Sequence, residues 1–374
     1  MISPKLFRKD VPHKKLGDLV IFLDHIRKPI TSSDRVAGLI PYYGANGIQD
    51  YVKDFLFDED LVLLAEDGGH FEDADRGIAY KVSGKTWVNN HVHVLRPAEN
   101  INVNYLFRIL QNLDLSAYIN GTTRAKLTKA NAARIEIPLP PLAEQHSIAA
   151  LLDTADRILK LRESAITKFD KLAQSLFFQI DQTASKHYKL SDISEIVSGA
   201  TPKTEIKEYW NGNVYWVTPA ELGKLNDIFI NQTVRRITNK GLASCTATLL
   251  PINSVLFSSR APIGHIAINS VPMATNQGFK SFVVDKQLVR PLYLYYWFNQ
   301  NKLLLQSMGV GATFKELSKN IISAVKIKLP SIDHQDKFVN QVNNIRDLKI
   351  KNLIAVEKIR NLLASLQHQS FAMN

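Results

Sequence analysis

Apolar residues recur alternately four and three positions apart between Ile148 and Ile180, with polar residues between them. The apolar positions are Ile148, Leu152, Ala155, Leu159, Ile166, Phe169, Ala173, Leu176 and Ile180, and the spacing is broken at Arg162. A heptad pattern of this kind places one apolar stripe on a helix that packs against another helix. It predicts a helix that begins near residues 141–144, ends near Ile180 and is about 54 Å long.

A later stretch repeats this one at a constant offset. Residues 121–179 align without a gap with residues 311–369, 190 positions later. The offset pairs Gln145 with Gln335, and it places a second apolar stripe at Phe338, Val342, Ile345, Val356, Ile359, Leu363 and Leu366. Each copy reads as a Gly-Thr loop, a short strand, a Pro-bounded turn and a long helix, so the period indicates two copies of a whole module.

Each long helix is the simplest partner for the other. Both carry a polar residue at the same stripe position, Arg162 in the first copy and Asn352 in the second. In an antiparallel pair, a buried polar layer at these positions would fix the register of the helices. Alternatively, Arg162 lies at the edge of the stripe and keeps its charge in solvent.

A β-rich module, here called a head, precedes each helix. Residues 60–64 and 254–257 are clear strands, and the pair Asn90-His91 resembles Asn276-Gln277. The offset between the heads changes along the chain, so the heads have diverged while the helices kept their length. We expect an α+β chain with pseudo-twofold symmetry and an antiparallel coiled coil. Its expected parts are a first head at 1–143, a helix at 144–180, a second head at 181–332 and a helix at 333–374.

The charge favours a polyanionic partner. The net charge is +11 and the isoelectric point is near 9.4, which makes nucleic acid the leading candidate. The single cysteine, Cys245, excludes disulfide frameworks and cysteine-based zinc sites. The lone cysteine also predicts a reducing, cytoplasmic location, and without an apolar run of about 18 residues the sequence predicts no membrane partner.

Polar, aromatic and basic residues beside turns are the candidate DNA contacts, because amides and guanidinium groups read base edges and lysines hold phosphates. In the first head these are Tyr42, Tyr43, Asn46, Lys81, Lys85, Asn89, Asn90, Arg124, Lys126 and Lys129. In the second head they are Thr201, Lys203, Tyr209, Ser259, Arg260, Asn276, Gln277, Lys315 and Lys319. Asn90 and Asn276 could equally form turns. Trp87, Trp216 and Trp297 are assigned to the core.

The sequence gives little support to a catalytic or metal site. It contains neither an adenine methyltransferase motif nor a Gly-rich methyl-donor loop after a strand. Asp192 with Glu205-Ile206-Lys207 resembles a metal-nuclease spacing that arises often by chance, and His91 with His93 lacks a third zinc ligand. A nuclease with a dispersed site and an RNA-binding scaffold remain the alternatives to a non-catalytic DNA-reading scaffold.

The order of these segments resembles that of type I restriction-modification specificity subunits over essentially the whole chain. The segments that carry the resemblance are residues 41–47, 89–93, 199–204, 208–212 and 311–317, and the paired helix starts 139–145 and 329–335. No single segment is decisive, but their order in a duplicated chain is specific.

The resemblance implies two target recognition domains held apart by the helices, each reading half of a split double-stranded DNA site. It also implies two methyltransferase subunits docked on the helices, and restriction/translocase subunits that join for cleavage. No cofactor is then expected on this chain, with S-adenosylmethionine on the methyltransferase and ATP and magnesium on the translocase-nuclease. Ser331 and His334 replace Pro141 and Glu144 at the second helix start, so the two docking surfaces need not be equivalent.

Overall fold

The computed structural model describes residues 7, 9–71, 77–119, 125–260, 262–310 and 315–372. The chain forms two compact units, Met1–Ser164 with Leu353–Asn374, and Ala165–Asn352. Each unit holds one head and part of each long helix, and the predicted α+β class is confirmed. In the described ranges, no helix is long and apolar enough to cross a membrane. The four-part division of the chain stays a prediction.

The first unit contains ten described strands. They are β1 (His13–Lys15), β2 (Val20–Phe22), β3 (Ala37–Gly44), β4 (Gly47–Val52), β5 (Phe57–Asp58), β6 (Leu61–Ala65), β7 (Ala79–Val82), β8 (Lys85–Val88), β9 (Val92–Pro97) and β10 (Glu136–Pro138). Helix α1 (Val103–Asn112) follows β9, α2 (Lys129–Ala133) precedes β10, and α3 (Leu142–Asp181) begins in this unit.

Two four-stranded sheets form the first head, in the orders β2-β9-β6-β7 and β4-β3-β8-β5, and β1 pairs with β10. Strand β6 is buried on both faces, as its continuous apolar run predicts. Val62 and Leu64 join the core beneath α1, whereas Leu61 and Leu63 join the core shared with β5 and β8. This central strand therefore ties the two cores of the head together.

The second unit repeats this plan. Its strands are β11 (Lys186–Lys189), β12 (Ser194–Ser198), β13 (Trp210–Val217), β14 (Phe229–Ile230), β15 (Arg235–Ile237), β16 (Val255–Ser258), β17 (Ile266–Asn269), β18 (Met273–Thr275), β19 (Phe279–Val284) and β20 (Lys326–Leu329). Its helices are α4 (Leu190–Ile193), α5 (Pro219–Leu222), α6 (Asn239–Ala243), α7 (Pro291–Gln300), α8 (Lys302–Ser307), α9 (Lys319–Ser323) and the start of α10 (Ile332–Phe371). The sheet orders are β12-β19-β16-β17-β14 and β15-β13-β18, and β11 pairs with β20.

The two long helices confirm the repeat residue for residue. Both α3 and α10 have 40 residues, and their first and last residues differ by the predicted 190 positions. In the first unit, Arg360 donates to Glu163 at 2.6 Å. In the second unit, Lys349 donates to Asp170 at 2.6 Å, and the Phe177 and Phe338 ring centroids are 5.8 Å apart. Residues further along α3 contact residues earlier in α10, so the predicted antiparallel pairing is confirmed.

The polar residues of the two stripes differ in burial. Arg162 is exposed, in line with the alternative that it keeps its charge in solvent. Asn352 is only 8% exposed, and its Nδ2 donates to the Leu348 carbonyl at 2.9 Å. A symmetric buried polar layer is therefore wrong. The repeat also contains the short helices α2 and α9, which the sequence did not predict and which begin at Thr128 and Ser318 caps.

Two buried glutamines attach the heads to the helices. Gln145 accepts from the Asn102 N–H at 2.8 Å and donates to the carbonyls of Pro140 at 2.9 Å and Asn100 at 3.2 Å. Gln335 accepts from the Arg290 N–H at 2.8 Å and donates to the carbonyls of Leu288 at 3.0 Å and Pro330 at 3.1 Å. Each glutamine thus holds the loop before α1 or α7 on the first turn of a long helix.

Candidate nucleic-acid interface

A turn built by Asn89 brings the predicted segments of the first head together. Strands β3 and β8 run parallel, and the Asn89 N–H donates to the Tyr43 carbonyl at 3.0 Å just beyond their pairing. The Asn89 side-chain oxygen accepts from the His91 N–H at 2.9 Å, which forms an Asx turn. Nearby, Asn46 Nδ2 donates to the Gly68 carbonyl at 3.2 Å. Three loops far apart in sequence therefore meet at one end of the head.

Charged side chains line this meeting point. Glu66 pairs with Arg27 at 2.7 Å and with Lys126 at 3.2 Å, and Asp67 pairs with His91. The Leu127 N–H donates to the Glu66 carbonyl at 2.7 Å, which holds the chain before α2 against this loop. The predicted basic position Lys126 is thus part of an ion network rather than an isolated phosphate contact.

Beneath the network, His93 is fully surrounded by protein. Its Nδ1 is 2.7 Å from an Asp24 carboxylate oxygen and its Nε2 is 2.8 Å from the Leu127 carbonyl oxygen. Burial raises the pKa of Asp24, but hydrogen bonds from His93 and from the Val94 N–H outweigh it and leave that pKa below its ordinary value. The Asp24 carboxylate and the Leu127 carbonyl oxygen thus lie within hydrogen-bond distance of the two ring nitrogens and hold the His93 ring in one orientation.

Asp24, Glu66 and His93 are the one group of three or more in the described ranges whose potential metal-ligand atoms lie within 4.8 Å of one another. Arg27 lies within 4.0 Å of both carboxylates, so protein cations already balance this group. His91 belongs to a different pair, with Asp67. Asp192 instead accepts from the Lys189 N–H at 2.7 Å and stabilises the start of α4.

The second head places equivalent residues on an equivalent backbone. The Asn276 N–H donates to the Val217 carbonyl at 3.1 Å, and the Asn276 side-chain oxygen accepts from the Gly278 N–H at 2.9 Å. These bonds make Asn89, not Asn90, the counterpart of Asn276, so the pairing of Asn90-His91 with Asn276-Gln277 is wrong by one residue. The turn interpretation of Asn276 is confirmed, and the same role falls to Asn89.

At two equivalent positions the heads carry charges of opposite sign. Isolated backbone bridges join Asp67 to Lys126 in the first head and Arg260 to Glu316 in the second. Arg260 Nε lies 2.9 Å from Glu316, and Lys280, the counterpart of His93 in strand register, lies 3.7 Å from it. Burial lowers the pKa of Lys280, although the Glu316 carboxylate opposes this shift. The heads share a frame but present different charges on it.

Most of the residues predicted to contact DNA are accessible. The exposed ones are Asn46, Lys81, Lys85, Asn90, Lys126, Lys129, Lys203, Arg260, Gln277, Lys315 and Lys319. Half-buried ones are Tyr43, Thr201, Tyr209 and Asn276. Thr201 donates to Gln277, which joins the two predicted loops of the second head. Arg124 lies outside the described residues.

Three of the predicted contacts need correction because their side chains are buried. Tyr42 packs inside the head with its hydroxyl at the Ile30 N–H, 3.1 Å away. Asn89 forms the turn described above, and Ser259 Oγ donates to the Gly278 carbonyl at 3.2 Å. Each of these side chains holds a strand end or a loop in place. Trp216 is core, as predicted, whereas Trp87 is only half-buried.

Arg235 and Arg236 are exposed and were not predicted as candidate contacts. They lie on β15, which pairs with β13 across a long connection. Two consecutive arginines after the exposed Val234 are a signal that the sequence contains, but it does not reveal the aromatic rings beneath them.

Comparison with known proteins agrees with this architecture. Residues 8–168 and 184–357 each match the type I restriction modification DNA specificity domain. The chain is 30% identical over 356 residues to a putative type I restriction enzyme specificity subunit of Haemophilus influenzae, covering 91% of this chain and 88% of the relative. It is 37% identical over 183 residues to the MjaIX specificity subunit of Methanocaldococcus jannaschii, covering 46% and 42%.

A crystal structure of the S subunit of a type I restriction-modification system from M. genitalium has the same fold. The TM-score is 0.65 at 14% identity, and each chain is covered completely. The two matched domains, the duplicated heads and the long relative together decide the family. The chain belongs to the type I restriction-modification DNA specificity family.

Proposed function

We propose that this chain reads a bipartite site in double-stranded DNA, with one half-site for each head. One observation carries the proposal: equivalent backbone bridges in the two heads hold side chains of opposite charge. They join Asp67 to Lys126 in the first head and Arg260 to Glu316 in the second. Equivalent backbones place equivalent loops against each half-site. Different side chains on those loops then select different bases.

Lysines next to the short repeat helices supply the phosphate contacts. Lys129 and Lys319 are the first residues of α2 and α9, and both are exposed. Lys315 is also exposed in the segment before α9. Together with the net charge of +11, these cations favour a polyanion and give the binding a strong salt dependence.

Two methyltransferase subunits dock on the long helices. Exposed apolar residues occupy equivalent repeat positions, Ile158 (40%) with Leu348 (48%), and Leu172 (48%) with Leu362 (54%). Large apolar side chains that remain exposed on a packed helix pair favour a protein partner. Each unit contributes two of these exposed residues, one from each long helix. The first unit has Ile158 and Leu362, and the second has Leu172 and Leu348. Restriction/translocase subunits join the assembly for cleavage.

The chain itself performs no chemistry and holds no cofactor. S-adenosylmethionine belongs to the methyltransferase partner, and ATP and magnesium to the translocase-nuclease partner. This part of the proposal rests on the charge pairing of the Asp24–Glu66–His93 group, whose carboxylates are balanced by protein cations rather than left open to a metal.

Methylation mapping tests the proposal. The chain would be co-expressed with its methyltransferase partner in a host without other adenine methylation, and the DNA sequenced for N6-methyladenine. We expect two short half-sites separated by a fixed unspecified gap. A continuous motif would show that one head does not read DNA. Absence of methylation from an assembled, folded complex would contradict the proposed role.

A further inference from the structure

The five arginines of residues 165–352 fall into two groups. Three are paired with carboxylates, Arg260 with Glu316, Arg290 with Asp336 and Arg346 with Asp227, at 2.9, 2.5 and 2.7 Å. Within the described part of the chain, the other two, Arg235 and Arg236, have no carboxylate oxygen within 4.0 Å. Both are exposed and adjacent on an edge strand.

Each of these two guanidinium groups lies over an aromatic ring instead. The Arg235 Cζ is 3.8 Å from the Trp210 ring centroid and 5.1 Å from that of Trp216, and the Arg236 Cζ is 4.5 Å from the Tyr215 centroid. Within the described residues neither guanidinium group donates a hydrogen bond, so its N–H donors stay available to a ligand. The rings therefore orient the arginines without occupying the donors that recognise a ligand.

The two arginines point to opposite sides of the β13–β15 ribbon, because successive side chains of a strand alternate. Arg235 shares its side with Trp210 and Trp216. The indole N–H groups of those tryptophans donate to the carbonyls of Lys203 at 3.1 Å and Ala200 at 3.0 Å. Arg235 is thereby placed beside the Thr201–Lys203 loop, which the sequence already predicts as a DNA contact.

The first head lacks this arrangement. In strand register, Tyr42 corresponds to Trp216 and Asp50 to Arg235. Arg35 lies over the Tyr42 ring at 4.4 Å, but it also pairs with Asp50 at 3.1 Å. A carboxylate thus neutralises the arginine of the first head, whereas the one in the second head keeps its charge.

We propose that Arg235 reads a guanine in the half-site bound by the second head. The inference rests on the proposed function of DNA reading. A major groove admits a two-stranded ribbon such as β13–β15, and a guanidinium fork fits the O6 and N7 acceptors of guanine. Trp210 holds that fork in one orientation, and Val234, the residue before β15, is 89% exposed.

The test measures the dissociation constant of the assembled complex with the methyltransferase partner. The probes are the duplex defined by the methylation map, an unrelated duplex, and duplexes with one base pair changed at each position of both half-sites. In the wild type, one G·C pair of the second half-site should contribute roughly 5- to 150-fold. With Arg235→Met, which still covers Trp210, that preference should fall to near one while preferences in the first half-site persist.

Arg236→Met is the matched control, because it removes the same charge from the opposite side of the ribbon and should leave every preference intact. Arg235→Lys keeps the charge but loses the planar fork stacked on Trp210, and should weaken the same preference less than Arg235→Met does. An equal loss of affinity for all duplexes, the unrelated one included, would make Arg235 a phosphate contact and overturn the inference. Unchanged preferences in both Arg235 variants would also overturn it. A wild-type complex without any base preference would instead contradict the proposed function itself.

Discussion

Gln145 and Gln335 occupy the same position of the two repeats, are equally inaccessible to solvent, and make the same three types of hydrogen bond. Each accepts from one main-chain N–H and donates to two main-chain carbonyls. The structure therefore confirms the gapless repeat at a junction where a single insertion would break these bonds.

Replacing Gln335 by leucine should destabilise the second unit by about 3 kcal/mol, because buried main-chain groups lose their partners at about 1–3 kcal/mol each. Urea unfolding of the full chain measures the change. Gln341→Leu, at an exposed site of the same helix, is the control and should have little effect. Equal stability of the two variants would show that water replaces the glutamine.

Replacing Asp24 by asparagine should destabilise the first unit at pH 7 by about 1–3 kcal/mol, because an amide cannot replace both carboxylate oxygens as acceptors opposite the buried His93 ring and the Val94 N–H. The folded state holds the Asp24 pKa below its ordinary 3.8, so this stabilisation is present above that pH and disappears as the pH falls through the lowered value. The difference in unfolding temperature between the unsubstituted chain and Asp24→Asn should narrow as the pH is lowered from 7 to 3. Asp60→Asn, at an exposed site, is the comparison.

Gly199→Ala should displace the Thr201–Lys203 loop, because a Cβ at residue 199 would lie 1.9 Å from the Asn276 carbonyl oxygen. We expect weaker binding to the second half-site and a lower unfolding temperature. Gly77→Ala is the control, since among the described residues, its chain neighbours aside, its Cβ would approach no atom closer than 3.6 Å. DNA affinity and the unfolding temperature should be measured on the same variant, because a displaced loop weakens binding more than it lowers the unfolding temperature. Unchanged values of both would contradict the close contact at residue 199.

Alanine at Arg124, Lys126 and Lys129 together should weaken binding to all DNA sequences and flatten the plot of log affinity against log salt. Each phosphate contact contributes about 0.9 to that slope in B-form DNA. Lys126 already pairs with Glu66, so its single replacement should change the slope less than that of Lys129. Binding titrations between low and moderate salt give the slopes. A slope that the triple variant leaves unchanged would place the phosphate contacts elsewhere.

Inserting seven residues at the same repeat position of α3 and α10 should lengthen each helix by about 10 Å. The proposed spacer role then predicts a gap about three base pairs longer between unchanged half-sites. Methylation mapping of the variant reads both properties at once. Altered half-sites would show that the helices themselves contact bases, and an insertion in a surface loop such as residues 285–287 should change neither.

Local periodicity predicted the long helices well because one apolar stripe recurs over their whole length. Both ends of α3 and the start of α10 fall within two residues of the expected ones, and α10 ends at Phe371, three residues before the expected end. The buried strands β6 and β16 were also predictable, since an apolar run buried on both faces needs no alternation. These elements are specified by residues close together in sequence.

The candidate site was less predictable, because its geometry depends on residues far apart in sequence. Identity alone aligned Asn90 with Asn276, and only the main-chain bonds at Tyr43 and Val217 show that Asn89 is the counterpart. The orientation of Arg235 likewise depends on Trp210, which reaches it through strand pairing. A sequence shows that such residues are present, but strand pairing decides which of them are buried.

All of the glutamine bonds at the head–helix junctions end on main-chain atoms, which are the same whatever side chains a head carries. A head of different sequence that follows the same backbone path should therefore fit the same helix without redesign of the joint. Replacing one head by another would then leave its attachment to the helix unchanged. On the proposed function, a chain with one head exchanged should read one new half-site and keep the other.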